Sequence, residues 1–130
     1  MKVLTLKKRK DFIRAAKGFK IVTNGLVLQA ALSLPVPSES CCFVGYTATK
    51  KLGKACLRNY TKRRLRAAVQ LVLPENAISG VDYVFIGRHN TTTLNFAYLV
   101  KKMREAVIQI NKQIKERESL DDKKDDDCSN

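Results

Sequence analysis

The chain has 130 residues and 45% hydrophobic content, which suits one globular domain and excludes a wholly disordered protein. Its formal net charge of +13 exceeds what solubility requires and indicates an anionic partner, with nucleic acid first and an acidic membrane surface second. The N-terminal segment soon becomes strongly charged, and no uncharged apolar run reaches the roughly eighteen residues of a membrane span. We therefore expect a cytoplasmic protein.

The predicted elements begin with a short helix over residues 8–18, KRKDFIRAAKG, which is rich in helix formers and ends on glycine. Two short apolar or alternating runs follow, at 26–34 and 42–49. The PVPSES segment between them favours a turn, because proline and serine clusters interrupt regular structure. We predict that the two runs form paired strands.

A helical pattern then extends from Leu52 to Leu73, and Pro74 is predicted to stop it, since the residue before a proline is pushed out of the helical region. The YVFIGR segment at 83–88 has the aromatic and β-branched content of a strand. A closing helix is predicted from about Thr93 to about Arg117. Its apolar residues recur at spacings of three and four and should face the core: Phe96, Leu99, Val100, Met103, Ala106, Val107, Ile110 and Ile114.

The last residues differ from the rest in charge. Residues 119–130, SLDDKKDDDCSN, carry five Asp against two Lys and have no apolar period. We predict one folded domain over residues 1–118 and an acidic, disordered tail over residues 119–130.

Cysteine and histidine give no sign of a metal or catalytic centre. The four cysteines lack the CxxC or Cys/His spacing of a zinc site and are expected to be reduced thiols. The single histidine, His89, follows a predicted strand, and no acid or base partner is evident for it. We therefore predict neither catalytic residues nor a metal site in the protein itself.

The strongest functional signal is a basic segment. Residues 50–66 carry eight Lys and Arg residues and no Asp or Glu. On a helical wheel, residues 54–73 separate into a narrow apolar stripe for the core, made of Leu57, Thr61, Leu65, Ala68 and Val72, and a polar face. A solvated face normally mixes both signs of charge, so a one-signed face favours a nucleic-acid interface. The face comprises Arg58, Asn59, Lys62, Arg63, Arg66 and Gln70, while Arg64 is expected at the rim of the packed surface.

Residues 45–66, GYTATKKLGKACLRNYTKRRLR, resemble the signature of the bacterial ribonuclease P protein component. In that signature a strand ends in a Lys pair, and a Gly then precedes a helix with an Arg-Asn-Arg core. The resemblance extends to KDFIRAAKG, LVLQ, DYVFIGR and the closing helix, and so covers nearly everything except the tail. Two departures stand out, since Tyr60 replaces the second Arg of the core and Ala16 replaces a second aromatic one turn after Phe12.

The resemblance implies a fold and a division of labour. The fold would be an α/β (α+β) two-layer sandwich of the ribosomal-protein-S5-domain-2-like type, with the order α-β-β-(β)-α-β-α and a left-handed βαβ crossover. The protein would be the small subunit of a ribonucleoprotein whose catalytic RNA removes the 5′ leader of precursor tRNA. Magnesium would be bound mainly by that RNA, and no organic cofactor would be needed. Neither DNA nor a membrane would be a partner.

The resemblance also implies two RNA-binding surfaces. The basic segment would bind the catalytic RNA, and the groove between the first helix and the sheet would bind the precursor tRNA leader. Phe12 could stack on a leader base, although plain core packing is an equal alternative for an aromatic on a short helix. The residues for the catalytic RNA would be Lys50, Lys51, Lys54, Arg58, Asn59, Lys62, Arg63 and Arg66. The residues for the leader would be Phe12, Val27, Gln29, Thr47 and Thr49.

Three other functions remain open from sequence. A ribosomal or general RNA-binding protein of the same fold would also explain the charge. An autonomous nuclease would need an acid/base pair or clustered carboxylates, which the sequence does not suggest. A membrane-surface protein would need the apolar stripe of the basic helix, which the core is expected to occupy.

Overall fold

The computed structural model describes residues 2–33, 40–48 and 53–129, with side chains as far as Arg117. Thr49, Lys50 and Lys51 of the predicted binding residues lie outside the described residues. The elements follow in the order β1 (Lys2–Thr5), α1 (Arg9–Ala16), β2 (Phe19–Thr23), β3 (Leu26–Leu32), β4 (Cys41–Thr47), α2 (Ala55–Asn76), β5 (Val81–Gly87) and α3 (Phe96–Ser129).

The five strands form one mixed sheet in the order β1-β4-β5-β3-β2. β1, β4 and β5 run parallel, whereas β3 pairs antiparallel with both β5 and β2. The predicted α/β class and element order are confirmed, with β1 added at the start of the chain. The left-handed crossover from β4 through α2 to β5 stays a prediction.

The predicted pairing of the two early strands is wrong. β3 and β4 do not bond to each other, because β5 lies between them and pairs with both. Strands that are neighbours in the sequence often pair with each other. Here β5, which follows α2 in the chain, lies between β3 and β4 in the sheet. A central strand buried on both faces explains this placement, since five of the seven residues of β5 are consecutive buried positions.

The predicted stop at Pro74 is also wrong, because α2 continues through the proline to Asn76. Proline removes one backbone donor from the last turn of α2, so one hydrogen bond of the helix is lost. The carbonyl that loses its partner belongs to Gln70, an exposed residue whose backbone can bond to water. The last turn is held by the Asn76 side chain, which donates to the Val72 carbonyl at 2.7 Å, and by the Ala77 amide, which donates to the Leu73 carbonyl at 2.8 Å.

The main core lies between one face of the sheet and the two long helices. Leu65 and Val69 of α2 and Met103 and Val107 of α3 are buried there against alternate residues of β3, β4 and β5. Phe96, predicted to face this core, is instead 36% exposed, because it is the first residue of α3 and extends beyond the packed layer. The structure continues α3 past its predicted end, and the division at residue 118 stays a prediction.

The opposite face of the sheet is covered only in part. The short helix α1 packs there, over a small cluster formed by Leu6, Ala15 and Val84. Eight residues make a helix about 12 Å long, too short to cover five strands. A strip of this sheet face beside α1 is therefore open to solvent.

Candidate RNA interface

The basic face of α2 is exposed as its sequence predicted. Leu65, Ala68 and Val72 are buried and Thr61 is 1% exposed, so four of the five stripe residues face the core. Leu57, the fifth, is 40% exposed, because it lies in the first turn of α2. The opposite side presents Lys54, Asn59, Arg63, Arg66 and Gln70 as exposed residues, with Arg58 and Lys62 half-buried.

Arg66 lies on the edge of this face toward the sheet. Its guanidinium carbon is 5.4 Å from the centroid of the Tyr46 ring, a cation–π distance. Tyr46 in turn stacks on Phe85, with 6.4 Å between ring centroids. Burial raises the pKa of Tyr46 to about 12, and Arg66 opposes that rise to a smaller extent. The phenol is therefore neutral at physiological pH and acts as an aromatic surface that holds the guanidinium in place.

Arg66 also lines a cleft of about 220 Å³ between α2 and the β1 edge of the sheet. Val3, Val44 and Val69 form its apolar wall, and Gln70 lies at its rim. The cleft is on the same side of the sheet as the main core and adds no acidic group to the surface of α2.

Arg58 carries an unused hydrogen-bonding capacity. Its Nε atom is buried and has no partner among the residues that the structure describes. The Nε atoms of Arg14 and Arg64 are in the same situation, so this feature is not specific to the basic face. Residues 54–73 contain no Asp or Glu that could pair with the Arg58 charge.

The open strip on the other face of the sheet brings the predicted leader residues together. Val27 of β3 and Thr47 of β4 both lie opposite Ile86 of β5, so the three form one row across the sheet. Gln29 lies in the next row, opposite Val84, and is half-buried. The strip therefore has an apolar floor with one amide side chain at its centre, between α1 and the exposed Val22 of β2.

Phe12 forms the wall of this groove on the α1 side. Its ring lies directly over Gly45 of β4, where an added Cβ would be only 2.6 Å from the Phe12 Cζ atom. The ring is half-buried and packs on the small cluster that contains Leu6 and Val84. Part of Phe12 thus belongs to the packing of α1, and part of it remains accessible from the groove.

A buried ion pair holds α1 on the sheet. Asp82 of β5 is 1% exposed and bonds to the Arg14 guanidinium of α1. Ser33 donates its hydroxyl proton to the same carboxylate at 2.6 Å, and Arg14 also contacts Asp11 at 3.0 Å. The position of Phe12 in the groove therefore depends on this pair, because both residues belong to one short helix.

The groove and the basic face belong to consecutive elements of the chain. Thr47 is the last residue of β4, and α2 is the next element. His89 is exposed in the turn after β5. In the described ranges, no three His, Cys, Asp or Glu side chains lie close enough together to hold a metal ion. None of the helices in the described part of the chain is both long and apolar enough to cross a membrane.

Comparison with known proteins agrees with this geometry. The family model described as Ribonuclease P matches residues 1–111. The chain belongs to the ribonuclease P protein family. It is 45% identical over 103 residues to the ribonuclease P protein component of Gluconacetobacter diazotrophicus, a match that covers 78% of this chain and 86% of that protein. The Caulobacter vibrioides component is 40% identical over 110 residues, which is 85% of this chain and 72% of that protein.

Solved structures of the family share the fold. The ribonuclease P protein from Thermotoga maritima superposes with a TM-score of 0.68 at 22% identity, covering 82% of this chain and 96% of that one. The Staphylococcus aureus protein gives a TM-score of 0.63 at 23% identity, covering 79% of this chain and 91% of that one. As a ribonuclease P protein, the chain is a subunit of an endoribonuclease with a role in processing the 5′ end of tRNA. Membership implies the ribonuclease P RNA as its partner.

Sequence reasoning missed two residues of the groove. Ile86 lies between Val27 and Thr47, and the alternation of the YVFIGR segment could have placed it on their face. Gly45 makes room for the Phe12 ring, and a glycine inside an apolar strand is a known sign of a close approach.

Proposed function

We propose that the basic face of α2 binds the ribonuclease P RNA and that the groove beside α1 binds the 5′ leader of precursor tRNA. The observation that carries this proposal is the exposed, one-signed face of a helix whose buried side, with Leu65, Ala68 and Val72, packs in the core. Arg forks and Lys ammonium groups bind phosphates without reading sequence, so this face suits a structured RNA backbone.

The groove suits a single strand. Its floor of Val27, Ile86 and Thr47 offers apolar contact to bases, and the Gln29 amide can both donate to and accept from a base edge. The accessible part of Phe12 can stack on one base. The groove is bounded by α1 on one side and by the exposed Val22 of β2 on the other, so its apolar floor is accessible to unpaired bases.

Magnesium is assigned to the RNA partner in this proposal. The described residues do not fit a magnesium site, because the buried carboxylate of Asp82 is bonded to Arg14 and Ser33. The protein residues therefore bind and orient RNA, and the proposal routes no chemical step through a protein-bound ion.

Reconstitution tests this division of labour. Purified protein alone should leave precursor tRNA intact, whereas protein with the ribonuclease P RNA should cleave the leader at a lower magnesium concentration than the RNA alone. The physical reason is that the cations of α2 replace part of the counterion charge that the folded RNA requires. If RNA-free protein still cleaves precursor tRNA after successive purification steps, the proposal is overturned. An unchanged magnesium requirement would mean that the protein does not assist the RNA by binding it.

Replacing Phe12 by alanine should weaken binding of precursor tRNA by about 1 to 3 kcal/mol, the usual contribution of one base on an aromatic side chain. Mature tRNA, which has no leader, should bind unchanged. Binding is measured with the reconstituted complex. Ile13→Ala is the matched control, because Ile13 is the neighbouring large apolar residue of α1 and is 47% exposed.

If Phe12→Ala weakens the binding of precursor and mature tRNA equally, Phe12 serves packing alone. Thermal unfolding of Phe12→Ala and Ile13→Ala shows whether either variant is misfolded.

Ala16→Phe gives the opposite test. Ala16 is exposed on α1, so an added ring can extend the wall of the groove and should tighten precursor binding only.

A further inference from the structure

Two exposed aromatic rings lie beside arginines on the outer side of the helical layer. Tyr60 of α2 is 42% exposed, and the Arg63 guanidinium carbon is 5.7 Å from the centroid of its ring. Phe96 of α3 is 36% exposed, and the Arg64 guanidinium carbon is likewise 5.7 Å from its ring centroid. Both pairs have the cation–π distance at which a guanidinium plane and an aromatic face attract each other.

The two pairs form one continuous surface across α2 and α3. Tyr60 and Arg64 are four residues apart on α2 and therefore lie side by side on the same face of the helix. Arg64 reaches across to the start of α3, where its guanidinium lies over the Phe96 ring and donates to the carbonyl of Leu94, two residues before the helix begins. We call the surface made by Tyr60, Arg63, Arg64 and Phe96 the aromatic-arginine patch.

The composition of the patch points to its ligand. Exposed aromatic rings interleaved with arginines form the surface on which unpaired nucleobases stack, because each base has a π face and each nucleotide brings a phosphate. A protein partner would have to bring acidic groups to neutralise Arg63 and Arg64 and would leave the rings to ordinary apolar contact. The chain's net charge of +13 and the absence of Asp and Glu from residues 54–73 favour the nucleotide.

We propose that the aromatic-arginine patch binds an unpaired base of the ribonuclease P RNA by stacking on Tyr60, with Phe96 and Arg64 forming the adjacent wall. The choice of RNA rests on the proposed docking of α2. The patch adjoins the basic face of α2, and it lies on the opposite side of the sheet from the groove assigned to the precursor tRNA leader. At this position the family's Arg-Asn-Arg core has an arginine, which would contact a phosphate, whereas Tyr60 contacts a base.

A tryptophan probe tests stacking directly, since the chain contains no tryptophan. In the Tyr60→Trp variant the fluorescence should be quenched by a single-stranded RNA oligomer and only weakly by an abasic oligomer of equal length and charge. Leu71→Trp is the matched control. Leu71 lies on the same side of α2 three turns further on and is 54% exposed, and no cation–π pair involves it among the described residues. Equal quenching by the two oligomers, or equal quenching of the two variants, would overturn the proposal.

The whole complex supplies a second, independent readout. Tyr60→Ala should weaken binding of the ribonuclease P RNA about 5- to 150-fold, the range that corresponds to about 1 to 3 kcal/mol for one stacked base. The salt dependence should stay the same, because stacking releases no counterions, whereas Arg63→Ala should reduce the slope by about 0.7 to 0.9. Tyr60→Phe, which keeps the ring, should bind as the natural chain does.

The outcomes separate this proposal from the docking of α2. A reduced salt slope in Tyr60→Ala would mean that the ring only positions Arg63, and unchanged affinity would mean that no base stacks there. Either result overturns the patch while leaving the basic face intact. If the base-containing oligomer quenches Tyr60→Trp while Tyr60→Ala leaves ribonuclease P RNA binding unchanged, the choice of the ribonuclease P RNA as the ligand is overturned. If Tyr60→Ala weakens only the binding of precursor tRNA, the patch belongs to precursor tRNA instead.

Discussion

Replacing Arg14 by alanine is expected to destabilise the fold by about 3 to 5 kcal/mol, the usual cost of removing one partner from a buried ion pair. The carboxylate of Asp82 would keep only the hydroxyl of Ser33, at 2.6 Å, and would remain 1% exposed in an apolar environment. The measurement is chemical denaturation followed by far-UV circular dichroism, because the chain has no tryptophan for fluorescence.

Two further variants make this expectation specific to the ion pair. Arg9→Ala removes an exposed cation of the same helix and should change the free energy of unfolding by less than about 0.5 kcal/mol. Adding Asp82→Asn to Arg14→Ala removes the orphaned charge and should recover part of the stability, since a neutral amide is cheaper to bury and can still bond to Ser33. If Arg14→Ala is no more destabilising than Arg9→Ala, the pair contributes nothing to the attachment of α1.

The second large effect concerns the basic face. Replacing Arg58, Lys62 and Arg66 together by alanine is expected to weaken ribonuclease P RNA binding strongly and to flatten its salt dependence. Each phosphate left without its cation reduces the slope of log K against log salt by about 0.7 to 0.9, so three such phosphates should reduce it by about two to three. Folding should survive, because none of the three side chains belongs to the buried core.

A matched variant on α3 controls for total charge. Arg104, Lys112 and Lys115 are exposed, and replacing them by alanine removes the same three positive charges from a different surface. This control should bind with nearly the natural affinity and slope. Equal weakening in the two triple variants would mean that only net charge matters, and an unchanged slope in the first would mean that the basic face is merely solvated.

Local periodicity predicted the helices well. The wheel of α2 placed Thr61, Leu65, Ala68 and Val72 in the core, because those positions depend only on a period of 3.6 residues. It failed at the two helix ends, where Leu57 and Phe96 are exposed. The pattern specifies a direction around the helix axis, but it does not specify how far along that axis the sheet extends.

Strand order could not be predicted in the same way. The pairing of β3 with β5 rather than β4 depends on contacts between residues far apart in sequence, and no local period encodes them. The contact of Phe12 with Gly45 is of this kind as well. The family resemblance predicted which residues belong to the groove, whereas the register across β4, β5 and β3 added Ile86 to it.

The placement of α1 and α2 on opposite faces of one sheet has an electrostatic consequence. Packed layers lie about 10 Å apart and a helix is about 10 to 12 Å across, so the outer surface of α2 is roughly 15 Å from the plane of the strands. Phosphates bound on the two faces would lie in the surrounding electrolyte, further apart than its screening length of about 8 Å at physiological ionic strength. Two RNA backbones bound on the two faces would therefore repel each other little, because the protein keeps the two polyanions apart.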